Sequence, residues 1–280
     1  MPTRALHVSD LHAGRHEAAG LAEGLAALVA EVEPELVIAT GDLTHRGRPE
    51  QFAHAKDLLD GLDAPVLAVP GNHDIPYSLP ARFSRPWAEF ERVFGTVDPV
   101  YRSDSLVVCG LDSVRPWRHQ GGRLSPARLG SAAETLADAP PGALRVAALH
   151  HHLAGAPWRM SRKFPLKDRD GALRALASAG AELVLGGHIH QSTTIERHEF
   201  EATSGTGSLV LATAPGLGRP RPHRLGEAQG VHVYEWDDER LVVVTRIWDG
   251  SRFRPTARRA FPRYRCQVRT PGSGTRGSPG

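Results

Sequence analysis

Six short apolar runs of this 280-residue chain each end in residues of the types that bind metal ions. In chain order the runs end in Asp10-Leu11-His12, Gly41-Asp42, Gly71-Asn72-His73-Asp74, Leu111-Asp112, His150-His151-His152 and Gly187-His188-Ile189-His190. Buried parallel strands read as continuous apolar runs, and ligands of open α/β sheets bind beyond the carboxyl ends of the strands. We therefore predict an α/β fold that gathers Asp, Asn and His side chains at one rim of a sheet.

The spacing of these segments indicates strands that alternate with helices. Asp10, Asp42 and Asn72 are separated by 32 and 30 residues, which is the length of successive βαβ units. Helical spacing of apolar residues predicts helices over about 17–33, 50–62, 126–137 and 170–179. Beyond Gln191 the shorter alternating runs are more typical of antiparallel strands.

Several of the strand-end residues are suited to share one cation. Residues two apart on a strand point to the same side, so Asp10 and His12 can reach the same ion, as can His188 and His190. Spacing does not decide which ion the second pair binds. Asp42 is the best candidate for the centre, because a carboxylate has two oxygens and can bridge two cations. The amide oxygen of Asn72 and the ring of His150 are further predicted ligands, whereas His151 and His152 are predicted beside the ligands or at the substrate.

Basic side chains are concentrated in the segments expected to surround this rim. Prolines interrupt residues 75–100, which we interpret as an insertion with one short helix at about 87–94. Its arginines either contact a substrate anion or are solvated on a packed surface loop, and the sequence leaves both possibilities open. The predicted substrate contacts around the rim are Arg82, Arg115, Arg118, His119, His151 and Arg159.

Composition is that of a globular protein, with 40% hydrophobic residues. No apolar stretch approaches the roughly 18 residues of a membrane span, and no signal-peptide pattern precedes the first strand, so a cytoplasmic protein without a membrane partner is expected. The two cysteines, Cys109 and Cys266, support neither a disulfide framework nor a thiolate metal site. The sequence does not indicate an oligomeric state.

The net charge of +3 is unevenly distributed along the chain. Eight of the 34 basic residues and none of the 31 acidic residues lie after Asp249, so the preceding part is acidic overall. We predict one domain over residues 1–250 and a basic tail without regular structure over 251–280. Nucleic-acid binding through this tail is possible but not favoured, because charge confined to a tail is weak support for polyanion binding by the body.

The ordered set of strand-end motifs resembles the calcineurin-like metallophosphoesterase superfamily. The resemblance is carried by Asp10-Leu11-His12, Gly41-Asp42-Leu43-Thr44, Gly71-Asn72-His73-Asp74, Leu149-His150-His151 and Gly187-His188-Ile189-His190. It implies a four-layer αββα sandwich and two divalent metal ions. Ligands without thiolate suit Mn, Fe, Zn or Co. Two such ions roughly 3.5–4 Å apart can activate a bridging hydroxide for in-line attack at phosphorus.

The resemblance also implies a role for each residue of the motifs. Asp10, His12 and His190 would hold one ion, Asn72, His150 and His188 the other, and Asp42 would bridge them. His73 would stabilise the phosphate or donate a proton, and Asp74 would orient its ring.

Within the superfamily, the three-histidine run and Gly187-His188-Ile189-His190-Gln191-Ser192 are most similar to class III cyclic-nucleotide phosphodiesterases and their glycerophosphodiesterase relatives. Those relatives usually have proline soon after the paired histidines, where this chain has His152-Leu153-Ala154. This departure concerns the substrate and not the reaction. We predict a phosphodiesterase acting on cyclic nucleotides or similar small phosphodiesters. The alternatives are a nuclease of the superfamily, a phosphomonoesterase, or a binding scaffold without activity, which would have no need of all seven ligands.

Overall fold

Two six-stranded sheets form the centre of the protein in a computed structural model that describes residues 2–15, 18–154, 164–199, 209–218 and 227–263. The strands in this part of the chain are β1 (Thr3–Val8), β2 (Leu36–Thr40), β3 (Val66–Val69), β4 (Val100–Arg102), β5 (Leu106–Leu111), β6 (Leu144–Leu149), β7 (Leu183–Gly186), β8 (Thr193–Glu196), β9 (Val210–Thr213), β10 (Gly230–Trp236), β11 (Arg240–Trp248) and β12 (Phe253–Pro262). The helices are α1 (Leu21–Val32), α2 (Pro49–Asp60), α3 (Ala81–Ser84), α4 (Ala88–Phe94), α5 (Pro126–Ala137) and α6 (Arg169–Ser178).

The first sheet has the order β12-β11-β10-β1-β2-β3. Strands β1, β2 and β3 are parallel, because α1 and α2 return the chain to the same end of the sheet after each strand. Helix α1 ends at Val32, since Glu33 adopts a left-handed conformation and Pro34 cannot continue the helix. The regular spacing of Asp10, Asp42 and Asn72 thus reflects two successive βαβ units.

The second sheet has the order β4-β5-β6-β7-β9-β8. Its strands β5, β6 and β7 are parallel, and β9 pairs in parallel with β7. The expectation of antiparallel strands beyond Gln191 is confirmed for β8, β10 and β11. It is only half right for β9, which pairs antiparallel with β8 and parallel with β7. All four residues of β9 are buried, so its short sequence carries no signal of strand direction.

Three apolar cores separate four layers, which confirms the predicted αββα sandwich. The core between the sheets contains Ile38 from β2, Val146 from β6 and Leu185 from β7. The outer face of the first sheet packs against α1 and α2, and that of the second packs against α5 and α6. No described helix exceeds 12 residues, and none is long and apolar enough to cross a bilayer.

The prediction of a basic tail without regular structure from residue 251 is wrong for its first part. Strand β12 pairs with β11 along its whole length and forms the edge of the first sheet. Only Phe253 and Phe261 bury their side chains against the cores, and the seven residues after Phe253 are exposed. An edge strand with so few buried positions lacks the apolar alternation by which strands are predicted. Residues 264–280 lie outside the described part of the chain.

Candidate metal centre

The loops after five parallel strands converge at one end of the sandwich. Each loop directly follows its strand and supplies a predicted ligand: Asp10 and His12 after β1, Asp42 after β2, Asn72 after β3, His150 after β6, and His188 and His190 after β7. All seven are buried, none being more than 6% exposed. The structure therefore brings together every predicted metal ligand.

Asp10, His12 and His190 form a first cluster, whose ligand atoms lie within 4.8 Å of one another. His190 Nε2 lies 3.1 Å from Asp10 Oδ1 and 3.2 Å from His12 Nε2. The other carboxylate oxygen, Asp10 Oδ2, accepts hydrogen bonds from the Ser9 hydroxyl and the His188 backbone N–H. These bonds orient the carboxylate so that Oδ1 faces the two imidazole rings.

Asp42, His150 and His188 form a second cluster of the same compactness. His150 Nε2 lies 3.2 Å from His188 Nδ1, 3.4 Å from Asp42 Oδ2 and 3.2 Å from Asn72 Oδ1. On its other side, His150 Nδ1 donates to the Thr40 carbonyl at 2.8 Å. A carbonyl can only accept a hydrogen bond, so the contact assigns the ring proton to Nδ1 and turns Nε2 toward the cluster.

One carboxylate oxygen lies between the two clusters. Asp42 Oδ2 is 3.9 Å from His12 Nε2 in the first cluster and 3.4 Å from His150 Nε2 in the second. Asp42 Oδ1 accepts a hydrogen bond from the His73 backbone N–H at 2.8 Å. The structure therefore places Asp42 at the centre of the site, as predicted.

Tight backbone turns direct these side chains inward. Seven non-glycine residues in the described ranges have φ in the left-handed region, and five are predicted ligands: Asp10, His12, Asp42, His188 and His190. Such conformations cost about 1–3 kcal/mol each and concentrate at functional sites. Beside Asp42, Gly41 has a φ of 79°, and a Cβ there would lie 2.5 Å from the Gly71 nitrogen. Gly41 therefore permits a tight turn immediately before Asp42.

The electrostatics of the clusters suit divalent cations. Burial alone would raise the pKa of Asp10 and of Asp42. The positive charge of His190 outweighs burial at Asp10, and that of His150 outweighs it at Asp42, so both pKa values lie well below the ordinary range. Burial opposes protonation of His150, yet the charge of Asp42 raises the pKa of that ring to about 9. Asp10 Oδ1 is buried without a hydrogen bond. Ionised carboxylates and imidazoles with inward-facing nitrogens therefore fit two metal ions, each of which would replace ring protons on binding.

Contacts around His73 differ from those that the resemblance implies. Its ring nitrogen Nδ1 lies 2.8 Å from the His45 carbonyl oxygen and 2.9 Å from the Tyr77 hydroxyl. Asp74 does not orient this ring. Its carboxylate accepts hydrogen bonds from the backbone N–H groups of Leu43, Thr44 and Gly71 and from the Thr44 hydroxyl. Asp74 therefore ties the loop after β2 to the loop after β3.

Replacing Asp74 by alanine is expected to lower the free energy of unfolding by about 3–5 kcal/mol, because buried backbone donors lose their acceptor. Chemical denaturation measures this loss, with the exposed Asp63→Ala as the matched control. Equal stability of the two variants would contradict the anchoring role.

His45 is a neighbour of the centre that the sequence interpretation missed. Its ring stacks on His73 at 5.7 Å between centroids, and its ligand atom lies within 4.8 Å of those of His12 and His73. Burial, followed by the charge of Arg15, lowers the pKa of His45 to about 4. Its position three residues after Asp42, in the same loop, is the sequence feature that could have identified His45 as a neighbour of the centre.

The predicted substrate contacts occupy different surroundings. His119 is exposed and lies 3.0 Å from the Tyr77 hydroxyl, and Arg118 is exposed on the same loop. Arg115 is half-buried. His151 is buried beside the second cluster, with Nδ1 2.8 Å from the Ser113 hydroxyl. Arg159 lies outside the described residues.

Arg82 is largely buried, with 9% of its surface exposed. Its Nε donates to the Pro116 carbonyl at 2.8 Å and its Nη1 to the Pro76 carbonyl at 3.1 Å. The arginine thus connects the insertion to the loop after β5. Its contact with substrate, like that of the other predicted residues, stays a prediction.

Asp112, the last residue of the fourth apolar run, belongs to neither cluster. Its Oδ1 accepts from the Val114 N–H at 2.7 Å, and its Oδ2 lies 3.2 Å from Arg128 Nη2. The expectation that all six runs end in metal-binding residues is therefore wrong here. Burial raises the pKa of Asp112 to about 7, despite the opposing charge of Arg128.

This raised pKa predicts a pH dependence of stability. The folded protein retains the proton on Asp112 at pH values where the unfolded chain, with a pKa of about 3.9, has released it. The stabilisation is therefore complete below about pH 4 and is lost as the pH rises toward 7. Relative to Asp112→Asn, the wild-type free energy of unfolding should fall over this range by at most about 4 kcal/mol. Urea denaturation at several pH values measures the difference, and parallel profiles would contradict it.

Comparisons with known proteins agree with this geometry. The sequence profile of the calcineurin-like phosphoesterase family matches residues 3–192. A probable cyclic nucleotide phosphodiesterase of Rhodococcus erythropolis is 32% identical over 62% of this chain and 58% of its own length. A cAMP/cGMP dual specificity phosphodiesterase of Mycobacterium tuberculosis is 28% identical over 82% of this chain and 75% of its own. The match thus spans little more than half of the Rhodococcus protein.

Among solved structures, a purple acid phosphatase from yellow lupin seeds superposes on 99% of this chain and 57% of its own, with a TM-score of 0.68 and 12% identity. That likeness supports the fold alone. The profile covers more than half of the chain and includes every ligand of both clusters. This protein therefore belongs to the calcineurin-like phosphoesterase family.

Proposed function

We propose that this protein is a metal-dependent phosphodiesterase that hydrolyses cyclic nucleotides or similarly small phosphodiesters. The observation that carries the proposal is the single oxygen of Asp42 between two buried clusters of metal-ligand atoms. Two adjacent cations suit displacement at phosphorus, because they stabilise both the attacking and the leaving oxygen. The names of the Rhodococcus and Mycobacterium relatives support a diester substrate.

The predicted ligands would bind the two ions as follows. Asp10, His12 and His190 would hold one ion, Asn72, His150 and His188 the other, and Asp42 both. Bound there, the ions would supply an activated water and positive charge near the phosphate.

His73 would give a proton to the leaving oxygen. The His45 carbonyl can only accept, so Nδ1 of His73 carries a proton. The proton that the ring can release in the reaction is then the one on Nε2. Tyr77 and the His45 carbonyl hold the ring in this orientation.

A nuclease is less favoured by the surface charges. Three arginines of the basic C-terminal segment are paired within the protein: Arg254 with Asp249, Arg259 with Glu199 and Arg263 with Glu182. Charges already paired in this way contribute less to binding a polyanion. DNA or RNA binding that weakens steeply with salt would favour the nuclease instead.

Hydrolysis of a chromogenic phosphodiester beside the matching monoester tests the proposal. Protein stripped with a chelator should be inactive toward both, and added Mn²⁺ should restore cleavage with a preference for the diester. 3′,5′-cyclic AMP is then the first natural diester to assay. Preference for the monoester would indicate a phosphatase, and no cleavage with any divalent ion would favour the binding scaffold.

A further inference from the structure

Three exposed aromatic residues are gathered at the rim by one buried arginine. Arg82 donates hydrogen bonds to the carbonyls of Pro76 and Pro116 and thereby joins the insertion to the loop after β5. An aromatic residue follows each of the three joined residues: Tyr77 follows Pro76, Phe83 follows Arg82, and Trp117 follows Pro116. The guanidinium of Arg82 thus holds together the two loops that carry the three rings.

These rings expose unusually large areas. Tyr77 is 42% exposed, Phe83 is 40% exposed and Trp117 is 71% exposed. The rings of Phe83 and Trp117 stack with centroids 4.4 Å apart and planes inclined by 14°. Trp117 lies within a tight turn closed by a hydrogen bond from the Arg118 N–H to the Arg115 carbonyl. Fixed, solvent-exposed aromatic surface of this kind is typical of a ligand-binding face.

Tyr77 links this face to the reaction centre. Its hydroxyl lies 2.9 Å from His73 Nδ1 and 3.0 Å from His119 Nε2. Its ring centroid lies 5.8 Å from that of His73 and 5.1 Å from that of His119. The side chain of Arg82 lies over the same ring, with Cζ 5.9 Å from the centroid. Aromatic groups therefore continue outward from His73. The ring centroid of His73 lies 4.9 Å from that of His12 in the first cluster.

We propose that Phe83 and Trp117, with Tyr77, form a subsite that stacks on the nucleobase of the substrate. The inference rests on the proposed phosphodiesterase function and deepens it, because a glycerol phosphodiester has no ring to stack. Base–aromatic stacking tolerates any base, since every base has a π-face. The phosphate would lie at the metal centre and the base against the rim, with the positive charges of Arg115 and Arg118 beside Trp117 in the same turn.

Binding of 5′-AMP and of ribose 5-phosphate to the Mn²⁺-loaded full-length protein tests the subsite. The two ligands share the sugar phosphate and differ in the base. Trp117→Ala should weaken 5′-AMP binding about 5- to 100-fold, as loss of base stacking does, and leave ribose 5-phosphate binding within about twofold. Phe83→Ala should act in the same direction, and Trp117→Phe should retain most of the 5′-AMP affinity. The matched control is Val100→Ala, which removes exposed apolar surface on β4.

The same variants separate this inference from the proposed function. Suppose that the wild-type protein cleaves diesters but Trp117→Ala weakens the binding of both ligands equally, or of neither. The proposed base-stacking subsite is then wrong, and the phosphodiesterase function stands. If no diester is cleaved, the proposed function fails, and selective loss of 5′-AMP binding would still establish base stacking. If Trp117→Ala leaves 5′-AMP binding intact but dissociates an oligomer in sedimentation, the rings serve a protein contact and the inference is overturned.

Discussion

Replacing Asp42 by asparagine is expected to lower kcat for phosphodiester hydrolysis by at least about 10³-fold while preserving the fold. The amide can still accept the hydrogen bond from the His73 backbone at Oδ1. It cannot supply the negative charge that lies 3.4–3.9 Å from imidazole nitrogens of both clusters. Metal ions contribute several kcal/mol of transition-state stabilisation, and each 1.36 kcal/mol is worth about tenfold in rate.

Three measurements on this variant distinguish a bridging ligand from a structural carboxylate. Elemental analysis should find fewer than two metal ions per chain, steady-state kinetics should show the loss of kcat, and circular dichroism should match the wild type. Asp112→Asn is the matched control, because Asp112 is also buried and also follows a strand but lies in neither cluster. Near-normal turnover or full metal content in Asp42→Asn would refute the bridging role.

Replacing His73 by alanine should reduce hydrolysis by an amount that depends on the leaving group. General acid catalysis typically contributes 10²- to 10⁴-fold. We expect about a 10³-fold loss for a diester that releases an alkoxide and less than about a tenfold loss for one that releases nitrophenolate, which needs no proton. The predicted metal ligands remain in place, so metal content should not change.

Tyr77→Phe is the companion variant, because it removes the hydroxyl that lies 2.9 Å from the His73 ring and keeps the aromatic surface. Loss of one hydrogen bond that only orients the ring should cost less than about tenfold in kcat.

Equal losses for both leaving groups in His73→Ala would show that His73 stabilises the phosphate charge and does not donate a proton.

The strand-end pattern is sufficient to predict the metal ligands from the amino-acid sequence. Apolar runs followed by Asp10, Asp42, Asn72 and His150 imply buried strands, and parallel strands of βαβ units present their carboxyl ends at one rim. The division of His188 and His190 between the clusters could not come from spacing. In the structure His190 faces Asp10 and His188 faces His150, as the family resemblance implies.

Contacts between distant segments were beyond the reach of the sequence. Two of the backbone donors to Asp74, Leu43 and Thr44, lie about 30 residues away along the chain. The partners of Arg82 are backbone carbonyls on two different loops. Backbone groups occur at every position, so no residue pattern identifies which carbonyl an arginine will reach. The ring of His45 likewise meets His73 only because the loops after β2 and β3 run side by side.

Hydrophobic periodicity is a local property of the chain, so the amino-acid sequence alone predicts the alternating strands and helices of an α/β fold and the seven predicted ligands at strand ends. The four-layer arrangement was implied by the family resemblance. Tertiary contacts were needed to show that Asp42 lies between the clusters, that Asp74 anchors loops and not the His73 ring, that Asp112 pairs with Arg128, and that β12 completes the first sheet. Each of these depends on which distant groups meet in space. That outcome follows from the packing of the two sheets, which no single segment encodes.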